Sequence, residues 1–383
     1  MALILYFIFR SFCPKFHILR IRIILKRPMN IGIYNSSEKI VQYFTMKVYV
    51  GLSGGIDSAV SAYLLKKDGF EVVGAFFKLE NEEHLSRCCD ITNAQRISQI
   101  LKIPFVEIDV SEEFNQSVKH YFLESLQTGL TPNPCTVCNE KIKFGIGFEK
   151  LKKLFGGGLF ATGHYAVRED AHLKKGIDPI KDQSYMLWRL KKAELVNYIF
   201  PLGTYLKSDV INLGLSLDLP VAKESEDLCF IQGDIKDFIR AHLSEKEGNI
   251  VDKSGKVLGK HKGVYFYTIG QRSGLGISYK EPLYVIDTDP INNLVIVSTF
   301  ENCFFKSAEL AEVNQLEDVS KDKLYKAKIR YQSSFADCYV KENDGSVSVE
   351  FTTPQFAITK GQSIVVYNND TVVLGGVIKE AKK

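Results

Sequence analysis

No apolar run in this chain reaches the roughly 18–20 residues that a membrane-spanning helix needs, so no membrane partner is expected. Cysteine is sparse. Eight thiols are unevenly spread over 383 residues, too few for a disulfide-stapled scaffold. No stretch is of low complexity, and Gly and Pro together make only about a tenth of the chain, which excludes collagen-like, mucin-like and disordered architectures. A strong charge of one sign is also missing. The formal net charge is +4, and residues 1–46 hold seven Lys or Arg against Glu38 alone, so the remainder carries −2. Any grip on a polyanion must therefore be local.

The apolar run Ala2–Phe9 precedes Arg10, whereas a secretory signal carries its charge first and a small-residue cleavage site afterwards. Arg20, Arg22, Lys26 and Arg27, with almost no acid nearby, resemble an organelle-targeting segment, but Ser is scarce. Residues 1–45 are read as an extension outside a fold that starts near Met46. Without an export signal the thiols are expected to be reduced in a cytoplasmic setting, with organellar targeting as the lesser alternative.

What is present alternates in period. Lys47–Leu52 reads as a buried strand, Asp57–Lys67 as a helix ended by Gly69, and Glu71–Phe77 as a second strand. A helix over Ile91–Lys102, a strand over Phe105–Val110, a long helix over Glu112–Leu126 and a short strand Leu159–Thr162 follow. This pattern predicts an α/β domain with a doubly wound parallel sheet over 46–240. Helical periods then vanish. Short strands are expected at Lys256–Leu258, Val264–Thr268, Leu283–Ile286 and Leu294–Val297, and later at Tyr325–Tyr331, Ser346–Phe351, Ser363–Tyr367 and Val372–Ile378. They predict a small β-rich central domain over 241–298 and a C-terminal β-barrel over 299–383.

Ser53-Gly54-Gly55-Ile56-Asp57-Ser58 lies between the first strand and the first helix. Glycines let backbone N–H groups close on phosphate, Ser hydroxyls add donors, and the helix start adds a positive dipole end. The Walker Gly-Lys-Ser/Thr is absent, so the loop suits pyrophosphate better than γ-phosphoryl transfer. Asp57 is placed to hold Mg²⁺ there. The plain alternative is a Gly-rich turn with helix-capping side chains.

In Thr131–Phe144 two prolines stiffen the approach to a helix. Cys138 is expected near that helix start with Lys141 and Lys143 close by, a setting that favours thiolate. The alternatives are an inert buried Cys or half of a zinc site, but no second C-x-x-C exists and Cys88-Cys89 are too close together to chelate one ion comfortably. Cys229, beside Phe230 and Ile231, alone reads as a small core residue.

Taken together, GLSGGIDS at 51–58, TPNPCTVCNEKIKF at 131–144, ATGHYA at 161–166, KDQSY at 181–185, EDLCFI at 226–231, YTIGQRSGLGI at 267–277, KIRYQ at 328–332 and GQSIVVYNND near the end resemble the tRNA-specific 2-thiouridylases, members of the PP-loop ATP pyrophosphatases. The resemblance runs from about Met46 to Ile378 and implies a PP-loop adenylation and sulfur-transfer domain, then the two β-domains. It implies ATP with Mg²⁺ as cofactors, with Gly51, Leu52, Ser53, Gly54, Gly55, Ile56, Asp57, Ser58, Phe77 and Gly163 around ATP. Asn133, Pro134 and Cys135 match the segment at the target base, with Cys135 where some relatives carry Asp. Cys138 matches the catalytic thiol and Cys229 the persulfide carrier, with a transient disulfide between them. Lys181, Asp182 and Gln183, and Arg330 with Tyr331, match segments that contact tRNA. His164 is either a base or a structural residue.

The implied activity is ATP-dependent 2-thiolation of uridine 34 in tRNA, with the tRNAs for Lys, Glu and Gln as substrates and release of AMP and pyrophosphate. A cysteine desulfurase or sulfur-relay protein is the implied donor, and the chain is expected to act as a monomer. A small-molecule PP-loop ligase would need its own acceptor domain, which the all-β final third does not resemble. A redox-sensing nucleotide binder would explain the thiols but not the RNA-contact segments.

Overall fold

A computed structural model describes residues 46–80, 90–220, 228–231, 233–343 and 345–383. The extension over 1–45, Cys88-Cys89 and most of the segment before Cys229 therefore lie outside the described residues.

The first sheet is made of β1 (Lys47–Gly51), β2 (Glu71–Lys78), β3 (Phe105–Asp109), β4 (Leu159–Ala161) and β7 (Tyr198–Ile199), in the order β3-β2-β1-β4-β7, with every neighbouring pair parallel. The strands are apolar on both faces, as a sheet covered twice requires. Val48 and Val50 pack on one side with α1 (Ile56–Lys67) and α2 (Ile91–Leu101). Tyr49 points to the other side, because successive strand residues alternate. There it meets two long helical runs, α3 over 111–127 and α4 over 134–155. Both contain π-helical stretches, Asn115–Lys119 in α3 and Cys138–Gly147 in α4. Phe114, Val118 and Phe122 form the buried face of α3.

The expected doubly wound α/β sheet is thus present. The chain winds outward from β1 to β3 and then crosses back to β4 on the other side of β1. The switch point lies at the carboxyl ends of β1 and β4, where such sheets open a binding crevice.

The hairpin β5 (Ala166–Glu169) and β6 (His172–Lys175) escaped the sequence reading. Farther along come α5 (Lys207–Ser216) and α6 (Ile235–His242). The central sheet holds β8 (Gly248–Val251), β9 (Val257–His261), β10 (Tyr284–Asp289) and β11 (Leu294–Ser298), in the order β10-β11-β8-β9. The strand expected at Val264–Thr268 is instead a 3₁₀ turn, Val264–Phe266. Its backbone bonds locally, Tyr267 N–H to the Val264 carbonyl at 3.0 Å, and Val264 buries its side chain outside the sheet.

The last domain is a closed barrel of β12 (Phe304–Gln315), β13 (Tyr325–Lys328), β14 (Ala336–Asn343), β15 (Ser346–Phe356), β16 (Ser363–Asn368) and β17 (Thr371–Lys382). The order β12-β15-β14-β13-β16-β17 closes through a β12–β17 pairing, which removes open edges. β6 then adds to β17, and Lys175 N–H bonds the Asp370 carbonyl at 2.8 Å. Trp188, fully buried, seals the seam. Its Nε1 donates to Ser363 Oγ at 3.1 Å, and Asn314 Nδ2 donates to its carbonyl at 2.6 Å. One core cluster therefore runs from Phe160 and Phe148 to Tyr367 and Val377.

Candidate active site

Gly51-Leu52-Ser53-Gly54-Gly55-Ile56-Asp57-Ser58 turns from β1 into α1 at the switch point. Gly54 has φ +88°, and a Cβ there would meet the Asp90 carbonyl at 2.6 Å, so only glycine lets the loop lie so close to the start of α2. The loop is held by its own hydroxyls. Ser58 Oγ donates to the Gly55 carbonyl at 2.8 Å, and Ser53 N–H donates to Ser58 Oγ at 3.3 Å. No side chain caps the start of α1, which leaves its first N–H groups available to an anion. Gly163, after β4, backs onto this turn: a Cβ there would lie 2.9 Å from both the Asp57 carbonyl carbon and the Ser58 nitrogen.

Asp57 is already engaged. Lys207 Nζ reaches its two carboxylate oxygens at 2.7 and 2.8 Å, and Tyr165 OH donates to it at 2.8 Å. Lys207 is buried at the start of α5, where its backbone N–H donates to Asp178 Oδ2 at 2.9 Å. The sequence reading found no lysine for this loop, and the fold brings one from 150 residues away. Among the described residues no group of three metal-binding side chains occurs, so a Mg²⁺ here would rely on phosphate oxygens with Asp57 as the loop's carboxylate. Phe77 is buried, its ring 5.8 Å from Phe160, so it belongs to the core behind the crevice. His164 shares Nδ1 with Thr162 Oγ1 at 2.7 Å. Desolvation, helped by nearby Lys143, pushes its pKa down to about 3. The ring is neutral at physiological pH and is hydrogen-bonded within its own turn.

The second cluster is built on α4. Asn133 caps the helix by accepting from Cys135 N–H at 3.2 Å, and Pro134 follows in the first turn, a position where its missing N–H costs nothing. The thiol in the first turn is therefore Cys135, half-buried. Cys138, expected near the helix start, lies a full turn farther in and is buried. The proline sets the start, and Cys138 opens the π-helical stretch. Such stretches recur at functional sites. Asn139, next to it, donates to the Met186 carbonyl at 3.0 Å, while its Oδ1 is buried with no hydrogen-bond partner among the described residues. The approach to this helix is clamped from both β-domains. Thr131 N–H donates to the Lys360 carbonyl at 2.9 Å, Gln362 Nε2 donates to the Thr131 carbonyl at 2.8 Å, and Thr288 Oγ1 donates to the Gly129 carbonyl at 3.1 Å.

Cys229 packs against the same hydrophobic cluster that contains Cys138. Phe230 anchors it, edge-on to Phe114, Phe122 and Phe238 at 5.6, 5.7 and 5.6 Å. Cys138 and Cys229, 91 positions apart in sequence, thus pack in one extended core cluster.

The segments expected at RNA also meet. Tyr185, beyond Lys181-Asp182-Gln183, lies 6.0 Å ring to ring from Tyr331. Their side chains divide, however. Asp182 is buried and accepts from Gly176 and Ser184 N–H groups. Gln183 accepts from Tyr165 N–H at 3.0 Å. Arg330 bonds the Ile269 and Ala357 carbonyls at 3.0 and 2.8 Å and the Thr359 hydroxyl. These three hold the loops in shape; Asp182 is buried, and Lys181, Gln183, Arg330 and Tyr331 are half-exposed.

This sheet order, with a glycine-serine anion loop at its switch point, defines a nucleotide-binding α/β domain carrying two further β-domains. Three family models match in the same sequence: a tRNA methyl transferase HUP domain over 46–233, a tRNA methyl transferase PRC-barrel domain over 236–299, and an aminomethyltransferase beta-barrel domain over 306–378. The chain is 42% identical over 359 residues to tRNA-specific 2-thiouridylase MnmA 1 of Caldanaerobacter subterraneus subsp. tengcongensis, covering 87% of this chain and 98% of that one. It is 41% identical over 362 residues to tRNA-specific 2-thiouridylase MnmA 2 of Thermoanaerobacter sp. strain X514, covering 88% and 99%. A solved structure, the U34-tRNA thiolase NcsA from Methanococcus maripaludis, aligns at 19% identity and a TM-score of 0.34 over 53% of this chain and 67% of that one. The chain belongs to the tRNA-specific 2-thiouridylase family.

Proposed function

We propose that this protein replaces the C2 oxygen of uridine 34 in tRNA by sulfur, using ATP. The observation that carries the reading is an anion loop at the switch point of the sheet, in a chain of this family that also packs two thiols in its large core cluster. A urea-like carbonyl is a poor electrophile because its oxygen leaves badly. In the first step the C2 oxygen attacks the α-phosphorus of ATP and pyrophosphate leaves, so that AMP becomes the later leaving group. The 51–58 loop holds the departing pyrophosphate through its N–H groups and hydroxyls, and Lys207 adds the positive charge that the loop lacks. Mg²⁺, when bound with ATP, neutralises phosphate charge beside Asp57.

A sulfur donor, a cysteine desulfurase or a relay protein, loads Cys229 as a persulfide. Cys138 thiolate attacks the inner sulfur, forming a Cys138–Cys229 disulfide and expelling hydrosulfide. Hydrosulfide adds to C2 and AMP departs. A thiol reductant then reopens the disulfide, restoring both thiols. Asn133, Pro134 and Cys135 face the splayed base, which must leave the anticodon-loop stack to react. The domain limits that fit this division of labour are 46–240, 241–298 and 299–383.

The test is stoichiometry. With tRNA, ATP and a sulfur source, AMP, pyrophosphate and 2-thiouridine should appear in equal amounts, and ADP with phosphate would refute the reading. Asp57→Ala and Lys207→Met should each slow AMP formation by about 100-fold with tRNA affinity nearly unchanged, measured by single-turnover nucleotide release and filter binding.

A further inference from the structure

At the seam between β6 and the barrel stands an aromatic ring between two lysines. Phe335 is 36% exposed. Lys175 Nζ, at the end of β6, lies 4.9 Å from the ring centroid, and Lys328 Nζ, at the end of β13, lies 5.2 Å from it. Beneath the ring, the buried Tyr367 packs edge-on at 5.2 Å and fixes it. Lys328 also donates to the Tyr331 carbonyl at 3.0 Å.

Among the described residues no carboxylate forms an ion pair with Lys175 or Lys328. Asp182 acts on Lys328 from beyond that range. Burial, together with the neighbouring Lys175 charge, lowers the Lys328 pKa. With no carboxylate of the described residues within ion-pair distance of either ammonium group, an arriving anion would be attracted to both. Below residue 46 the chain has its basic excess, but the folded part carries −2, so this pair is a local exception.

We propose that Phe335, Lys175 and Lys328 form a second RNA subsite, where one unpaired tRNA base stacks on Phe335 and its flanking phosphates meet the two lysines. The chemistry is that of single-strand readers, an aromatic platform beside backbone-tracking cations. Contact with an exposed ring holds a lysine only weakly, so both ammonium groups can turn to phosphate when a base arrives. The shelf is wired to the candidate active site. Tyr331 follows Lys328 and faces Tyr185, and the next residue, Met186, receives the bonds from Asn139 and Asn133 of α4. A base docked on Phe335 would hold tRNA against the same loop that supports Asn133 and Cys138. The proposal rests on tRNA being the substrate.

The test uses the full chain, a tRNA-Lys transcript and three variants: Phe335→Ala, Phe335→Trp and the double variant Lys175→Gln/Lys328→Gln. Phe335→Ala should raise both the tRNA Kd and KM about tenfold, with kcat at saturating tRNA and the salt dependence of Kd unchanged. Phe335→Trp should stay within about twofold of wild type, since the platform persists. The lysine double variant should weaken binding and reduce the slope of log Kd against log salt by about 1.5. If Phe335→Ala and the double variant both bind like wild type, the subsite is refuted. Should Phe335→Ala fail to fold, ultraviolet crosslinking of wild type to tRNA decides: the crosslinked peptide must contain residue 335, and crosslinks found only elsewhere refute the proposal. A wild-type protein that makes no thiolated tRNA refutes the proposed function instead. An active wild type with unaffected variants refutes the shelf alone.

Discussion

Five of the thiols have describable settings, and the settings sort them. Cys303 and Cys338 are buried in β-domain cores, and burial pushes their pKa values up, that of Cys338 to about 12. They stay protonated and unreactive. Cys135 and Cys229 are half-buried, and Cys138 lies in the core cluster against which Cys229 packs. If Cys229 carries sulfur and Cys138 resolves it, the single variants should fail differently. Cys229→Ser should lose both the loaded sulfur and the product. Cys138→Ser should still accept sulfur but retain it. Wild type after one turnover without reductant should contain a 138–229 disulfide, seen by peptide mapping, with Cys303 and Cys338 still reduced. Cys135→Ser should keep part of the activity and Cys135→Asp more. A dead Cys135→Ser, with 135–138 as the sole turnover disulfide, would reverse the assignment.

Elements meet at the crevice through close backbone approaches as well as through the Lys207–Asp57 pair. The turn after β4 reaches the first residues of α1 because Gly163 has no Cβ, and α2 begins against Gly54 for the same reason. Gly163→Ala puts a methyl 2.9 Å from two backbone atoms of α1, closer than packing tolerates, so the two loops must part. The expected result is a loss of about 1–3 kcal/mol in stability together with a fall in AMP formation of at least tenfold, because the N–H groups of α1 move away from the pyrophosphate. Denaturant melts and single-turnover assays read the two effects separately. A variant that loses stability but keeps full adenylation would show that the crevice tolerates a wider mouth.

The whole molecule is held as one unit over 46–383. The barrel is not an appendage, since β6 extends its sheet and Lys360 and Gln362 grip Thr131, two residues before the cap of α4. Residues 1–45 hold no motif, the first strand opens at Lys47, and the first family model begins at 46. A protein starting at Met46 should therefore thiolate tRNA at a rate within about twofold of the full chain, and a tenfold loss in that assay would make the extension part of the working enzyme.

Four of the five strands of the first sheet, the helices on either side of it and the glycine-serine loop were legible in the amino-acid order, because each is written locally; β7, two residues long, was not. Alternating or 3.6-residue apolar spacing decides strand or helix, and a glycine-serine turn before a helix binds anions wherever it stands. The motif around Cys138 was legible too, but its depth was not: Pro134 starts the helix, so Cys135 takes the first turn and Cys138 goes inside. Three features depended on tertiary structure alone. Lys207 has no motif around it and acquires its role only where the starts of α5 and α1 converge on Asp57. The hairpin β5–β6 is polar and four residues a side, with no apolar alternation to announce it; its strands pair with each other, and β6 meets β17 at Thr371. Asp182 and Arg330 stand in segments that the resemblance assigns to tRNA contact, yet in the fold Asp182 is buried against the nearby Gly176 and Ser184 N–H groups, and Arg330 donates to the carbonyls of the distant Ile269 and Ala357. Propensity and periodicity act over a few residues and are carried by the chain itself. Ion pairs, edge pairing and burial depend on which distant segments arrive, and only the packed core determines that.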